Sequence, residues 1–437
     1  MTRTFDLRRR LLLSRTARAL AACALLASTS RAQEAPASAA PSQAPPPSAS
    51  AAAAPAPLIA ASVPPVTSAF AGKPVPSTSQ LLHGVHLDAF IDAYASLNYG
   101  FPHPQSGSNA LHAFDVSNGF ALNWVGANAT VDPDPVGATV GLRFGPGTQI
   151  YNVSDTVVGL GNVKQAFATL RPGGKDGLVT LDFGKFDQPY GSEVADSQLN
   201  MNYTRGVLFT YAQPLFFTGL RADWAPVSAF DAKLFLVEGW NRSVADDLGK
   251  SVGTQLVVKP TETVAAYLGY MLSPEQSEIV PAATAGGVGR FDVGASTRLR
   301  HTLDAVLDLN PTAEARVLAN GTYDAEQIVA ASGGSREVHF YGANVAARYA
   351  FAPWLAAAMR VEAFRDPEGY SLGGFTTTGR DTTVYDGTLT VELDPDPHLK
   401  VLLDNRVDDA SQPVFVTSSG AATRQFTTTV GVVVSAP

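Results

Sequence analysis

Between residues 186 and 213 the chain gathers Asp187, Glu193, Asp196 and Arg205 beside Tyr190, Tyr203 and several amide side chains. Carboxylates and a guanidinium this close together can hold or steer small ions, which is the chemistry of a charged constriction. Glu193, Asp196 and Arg205 are the first candidates, with Asp187 next to them. A second reading pairs Arg205 with Glu193 to pin the segment in place, so that neither meets a passing ion. Other chemistry finds little to stand on. There is no Gly-x-Ser-x-Gly elbow, and Gly249-Lys250-Ser251 has Val244 where a phosphate loop needs glycine. The seven histidines are dispersed. His83 and His86, three apart, fall on opposite faces of a strand and cannot share a metal. His112 sits in a long link and reads as a surface histidine. It would serve a hydrolase only with a Ser or Asp beside it. No catalytic residue, metal or cofactor is expected.

Such a constriction needs walls around water, and the composition says what kind. Charged residues make up 16% of the 437 and hydrophobic residues 45%, with 38 Gly, 30 Pro and a single Cys. One Cys excludes a disulfide scaffold. No run reaches the roughly 18 apolar residues of a membrane-spanning helix, so any crossing is made by strands.

Period-two alternation supplies those strands. Over residues 298–309, Leu299, His301, Leu303, Ala305, Leu307 and Leu309 share one face, and Arg298, Arg300, Thr302, Asp304 and Asp308 the other. Residues 400–407 set Val401, Leu403 and Val407 against Lys400, Asp404 and Arg406. Residues 388–393 set Leu389, Val391 and Leu393 against Thr388, Thr390 and Glu392. Sixteen such segments can be placed, including 313–324 and 337–351. Every second connection is a tight turn, most of them marked by proline, as at Asp132-Pro133-Asp134-Pro135 and Pro395-Asp396-Pro397. The links between, such as 98–118, 186–213, 273–296, 366–381 and 409–423, are long and rich in Gly, Ser and Asp. Strict short/long alternation predicts an all-β, antiparallel up-and-down transmembrane barrel of about 16 strands. Tyr99, Trp124, Phe144, Trp224, Trp240, Phe351 and Trp354 lie near strand ends, where a membrane barrel carries an aromatic girdle.

In a barrel of that size the lumen holds water, and strand phase points Asp182, Arg221, Asp223, Arg298, Arg300, Asp304, Arg348, Arg360, Glu362, Glu392, Lys400, Asp404 and Arg406 inward. Each is either part of a transverse field or a solvated wall residue with no effect of its own.

The segment GKFDQPYGSEVADSQLNMNYTRGVLF at residues 184–209, followed by Pro214-Leu215-Phe216-Phe217-Thr218-Gly219, resembles the OmpL-like β-barrel porin family. Val237-Glu238-Gly239-Trp240-Asn241 and the strand after Gly249 are similar to it as well. The resemblance is strongest over residues 178–272. It implies a bacterial outer-membrane location and a water-filled channel for passive diffusion of small hydrophilic solutes or ions, and it implies no particular solute. A non-conducting surface barrel, adhesive or structural, or a barrel hydrolase are the alternatives. The final strand, Thr427-Thr428-Thr429-Val430-Gly431-Val432-Val433-Val434, resembles the strand read by the barrel-assembly machinery, although the chain ends Ser435-Ala436-Pro437 without the usual terminal aromatic.

Residues 1–32 carry seven Arg and one Asp ahead of a short apolar run and a small-residue ending, and read as a secretory signal. Residues 33–80 are Ala, Pro and Ser with almost no charge, and read as a disordered periplasmic tether. Residues 81–437 remain for the barrel. Without the signal the whole-chain charge of −8 becomes −14, which makes nucleic acid an improbable partner and tilts a pore toward cations. Outer-membrane lipid is the expected surrounding; the oligomeric state is not legible.

Overall fold

The computed structural model describes residues 84–103, 109–244, 249–275, 298–330, 334–373 and 380–436. The signal and tether at residues 1–80 lie outside the described residues. The strands are β1 (Val85–Asn98), β2 (Gly119–Val131), β3 (Val136–Phe144), β4 (Val163–Leu170), β5 (Val179–Asp187), β6 (Phe216–Val227), β7 (Phe230–Val237), β8 (Ser251–Thr261) and β9 (Val264–Ser273). They continue with β10 (Arg300–Leu309), β11 (Ala315–Val329), β12 (Ser335–Ala352), β13 (Leu355–Asp366), β14 (Thr382–Asp396), β15 (Leu399–Ala410), β16 (Phe415–Thr417), β17 (Gly420–Ala422) and β18 (Arg424–Ala436). Every sequence neighbour in the set β1 to β15 pairs antiparallel, and β18 closes the ring between β15 and β1, giving the sixteen-stranded barrel that the loop alternation predicts. β16 and β17 form a small hairpin inside the last loop.

The alternation is inverted relative to a soluble sandwich. On β10 the apolar Leu303 and Leu307 are 48% and 39% exposed, whereas Thr302 and Asp304 on the opposite face are 2% exposed. An apolar outer surface around a polar interior is the arrangement a lipid surrounding requires. Closure also gives each of the sixteen barrel strands a hydrogen-bonded neighbour on both sides, which leaves the sheet no free edge strand to expose to hydrocarbon.

The connections fall at two ends. Tight turns lie at one, and at the other are eight loops, of which L1 (residues 99–118), L2 (145–162), L3 (188–215), L4 (238–250), L7 (367–381) and L8 (411–423) matter below. The expected long link between residues 324 and 337 is shorter, because β11 and β12 stay paired from Ala315↔Tyr349 out to Val329↔Ser335. The girdle also needs correcting. Tyr99, Phe144, Trp224, Phe351 and Trp354 are exposed on the outside, but Trp124 is fully buried and Trp240 half-buried among loop residues inside. Trp124 sits next to a register shift between Asp92 and Ala93, where β2 changes its phase against β1.

Candidate permeation site in the barrel lumen

L3 leaves β5, crosses the interior and returns to β6. Its short helix α1 (Val207–Tyr211) packs Leu208 and Ala212 with Phe340, Phe364, Leu372 and Phe415 in an apolar cluster that lines one side of the lumen. The remainder of the loop is polar and is fastened to the wall on several sides.

Toward β3 and β4, Arg143 donates to both oxygens of Asp196 at 3.1 and 2.9 Å, and Lys164 lies 3.4 Å from the same carboxylate. Burial alone would raise the Asp196 carboxyl; Lys164 and then Arg143 outweigh it and hold the group below its ordinary value. Lys164 also pairs with Asp187, which accepts a hydrogen bond from Tyr151 Oη at 2.5 Å. Asp187 and Asp196 are thus joined through one lysine.

Toward β12 to β15 the contacts are denser. Arg360, with no exposed surface, donates to Glu193 Oε1 at 2.6 Å, to the Thr204 carbonyl at 2.5 Å and to Asp386 Oδ2 at 3.0 Å. Arg406 donates to the Arg205 carbonyl at 2.5 Å and lies 2.6 Å from Asp386 and 2.7 Å from Asp408. Glu362 accepts from the Leu208 N–H at 2.8 Å at the start of α1, where unpaired backbone donors need a partner. Asp404 accepts from the Thr204 N–H and Oγ1 at 2.8 and 3.0 Å. Elsewhere Asp304 accepts from the Gly191 N–H at 2.9 Å, and Asp92 of β1 accepts from Tyr203 Oη at 2.8 Å and Ser197 Oγ at 2.5 Å. The Tyr203 phenol is raised by burial and by the Asp92 carboxylate, which keeps it a donor.

Arg205 and Glu193 are both in this network but do not pair with each other. Glu193 takes Arg360 and the Gly206 N–H at 2.9 Å, and Arg205 donates to the carbonyls of Val194, Ala195 and Tyr203 within its own loop. A guanidinium offers five donors, and the bend of the loop presents carbonyls closer than the carboxylate.

Several inward residues expected to be solvated are dry. Arg360, Arg406 and Asp404 have no exposed surface, because L3 and L1 cover them. L1 brings His112, which is buried and not on the surface: its Nδ1 lies 2.7 Å from Asp115 Oδ2 and its Nε2 3.3 Å from Asp408 Oδ2. Burial and Arg406 each lower the affinity of the ring for a proton, but Asp115 and Asp408 outweigh them, so His112 titrates above its ordinary value. A proton held more tightly in the folded loop stabilises it below the pH where the unfolded histidine titrates. That contribution is lost as pH rises through the folded value. Hydrogen-exchange protection of residues 109–118, taken relative to the intrinsic base-catalysed rate of each amide, is therefore expected to fall as the pH rises through the folded value in the wild type, and to lose that dependence in His112→Asn.

The remaining candidates lie apart from L3. Arg221 donates to Asp182 at 2.8 and 2.6 Å, Lys233 bridges Asp223 and Asp231, and Arg300 donates to Glu326 at 2.7 Å. Arg298 meets Ser335 at the loop end. Near the turns Arg348 and Lys400 share Glu392, and their side chains keep 29% and 27% exposure. Strand phase missed Arg143, Lys164, Asp92, Asp386 and Asp408. Asp386 was one step beyond the Thr388–Thr390–Glu392 face, and Arg143 shares a face with Gly137, Thr139 and Gly141, so the signal was present for both. Among the described residues no cluster of three or more His, Cys, Asp or Glu could hold a metal ion.

The profile of the family described as "Putative beta-barrel porin-2, OmpL-like" matches residues 84–435, and the chain belongs to that family. No curated protein matches the sequence. Among solved structures the fold is similar to an anion-selective porin from Comamonas acidovorans, at 10% identity and a TM-score of 0.50, covering 80% of this chain and 99% of that one. It is similar as well to the outer membrane channel DcaP of Acinetobacter baumannii, at 10% identity and TM-score 0.51, with 80% and 97% covered. For Pseudomonas putida OprB in a high-pH structure the values are 13%, 0.51, 82% and 96%. At these identities the likeness shows the fold alone.

Proposed function

We propose that the protein is an outer-membrane porin that passes small hydrophilic solutes or ions by passive diffusion. The carrying observation is a closed barrel whose interior is lined with charged side chains and narrowed by L3. In this reading Glu193, Asp196 and Arg205 position L3, since each is buried and engaged in the loop's own anchorage. The groups that meet the permeant are the accessible ion pairs toward the turns, Arg348 and Lys400 with Glu392, Arg316 with Asp308, and Lys233 with Asp223. Residues 1–32 act as the export signal, residues 33–80 as a periplasmic tether, and β18 as the strand read during assembly.

The apolar cluster of L1, L3, L7 and L8 favours a second reading, a barrel held shut on that side by its own loops. Planar-bilayer recording of the purified protein separates the two. Discrete ohmic steps, with a reversal potential under a salt gradient that reports the sign of the preferred ion, are expected for the porin. Silence from a β-rich, heat-modifiable preparation would favour the occluded barrel.

A further inference from the structure

Two carboxylates meet the His112 ring from opposite sides. Nδ1 lies 2.7 Å from Asp115 Oδ2 and Nε2 3.3 Å from Asp408 Oδ2, and all three side chains are buried. A neutral imidazole has one N–H and one lone pair, and an ionised carboxylate only accepts. Both contacts are therefore hydrogen bonds only when the Asp115–His112–Asp408 group holds one extra proton, whichever atom carries it. With the ring charged, His112 and Arg406 balance Asp115 and Asp408, Arg406 donating to Asp408 at 2.9 and 2.7 Å. Without that proton a ring lone pair faces a carboxylate, and the buried set keeps an unbalanced negative charge. Among the described residues the other groups turned this way are Arg205 of L3, engaged by the carbonyls of its own loop, and the neutral Ser96, Asn98, Gln425 and Thr429 of β1 and β18.

What the proton holds is a piece of chain lying across the loop end of the lumen. Asn109 donates to Ser96 Oγ at 3.0 Å, and Gln425 donates to the Ala110 carbonyl at 3.1 Å and accepts from its N–H at 3.2 Å. The same segment covers L3. Leu111 packs with Leu208 in the apolar cluster, the Phe114 and Phe209 ring centroids are 6.3 Å apart, and the Arg205 guanidinium stands 4.8 Å over the Phe114 ring. Residues 109–118 and L3 thus narrow the lumen together, and the contact at His112 is one whose strength follows the pH.

We propose that His112 is a positioning residue that makes conductance depend on protons: charged, it seats residues 109–118 over L3 and keeps the passage narrow, and once it loses its proton the segment lifts and the passage widens. The inference rests on the porin reading and adds the proton as the ligand that regulates the pore.

Planar-bilayer recording of the purified full chain at pH 5 and pH 9 tests it, alongside hydrogen-exchange protection of residues 109–118 relative to intrinsic rates. Losing a charge-assisted hydrogen bond shifts a docking equilibrium about tenfold or more, and wild-type conductance at pH 9 should be at least about twice that at pH 5. His112→Asn cannot carry the charge and should stay at the high level at both pH values. Asp115→Asn gives the ring a donor at Nδ1 while Nε2–H remains on Asp408, so the segment docks without the extra proton and conductance should stay low at both. Opposite levels from two substitutions in one contact are not what a general loosening of the loop produces. His301→Asn, on the outer face where its ring meets Tyr270, should leave the pH response as it is. Equal wild-type conductance at the two pH values, or a response that survives His112→Asn, overturns the proposal. Silence at both pH values, from protein whose protection over 109–118 still falls with pH, overturns the porin reading and leaves the proton-held segment standing.

Discussion

Arg360→Ala is expected to free L3 from the wall and raise single-channel conductance several-fold, while the barrel itself stays folded. Arg360 has no exposed surface and holds three things at once: Glu193 and the Thr204 carbonyl of the loop, and Asp386 of the neighbouring strand β14. Removing it leaves Glu193, Glu362 and Asp386 facing one another with Arg406 as the nearest described counter-charge, at 2.6 Å from Asp386. Taking one partner from a buried ion pair costs about 3–5 kcal/mol, because the charge left behind is neither solvated nor paired. The loop can relieve that cost by swinging Glu193 into water; strand β13 cannot, since its backbone is paired on both sides with β12 and β14. The penalty therefore falls on loop docking. Arg360→Lys keeps the charge but loses the planar fork that reaches Asp386 and the loop together, and should fall between wild type and alanine. Single-channel recording with urea unfolding is the measurement. Unchanged conductance together with an unchanged unfolding midpoint would remove Arg360 from the anchorage, and a change in ion selectivity with L3 still docked would make it part of a filter.

How far the sequence could be read depends on the range of the signal. Strand existence rests on alternation within one strand, and Leu303 and Asp304 declare their opposite faces by themselves. The barrel class rests on loop lengths, which are equally local. The docking of L3 is different in kind. Nothing near Glu193 announces that Arg360, 167 positions later, will meet it, and the nearer Arg205 is the natural guess. His112 shows the same limit: a histidine in a Gly- and Ser-rich link reads as exposed until Asp408, 296 positions away, is brought to its ring by closure of the barrel. Trp124 and Trp240 read in the sequence just as the outer aromatics do; a shift in the β1–β2 register turns Trp124 inward, and the loops around Trp240 decide that it lies inside. What sequence reading supplied was the wall, and what it lacked was the set of contacts made by chain that folds back through it.

Gly431→Val is expected to destabilise the wild-type protein and to stabilise Tyr203→Ala, a reversal of sign that no local property of β18 would produce. Gly431 lies on the inner face, paired with Tyr94 of β1 and Leu402 of β15, and the Tyr203 ring of L3 lies directly against it, so that any Cβ there would overlap the ring. The slot holds Tyr203 with no exposed surface, its centroid 6.1 Å from that of Tyr94 and its hydroxyl on Asp92. Valine in the slot overpacks it, at a cost of about 1–3 kcal/mol. Tyr203→Ala empties it, and losing a buried aromatic costs about 3–5 kcal/mol. With the ring gone the valine fills part of the void and replaces a glycine that is intrinsically poor in a strand, so the second change should return about 1 kcal/mol. Residues in direct contact are where additivity fails, and the coupling in this cycle should lie at the upper end of about 0.5–3 kcal/mol. Urea unfolding of the four proteins in the same lipid measures it. Additive effects of the two substitutions would mean that Tyr203 does not occupy the slot over Gly431, and that L3 is held by its charged contacts alone.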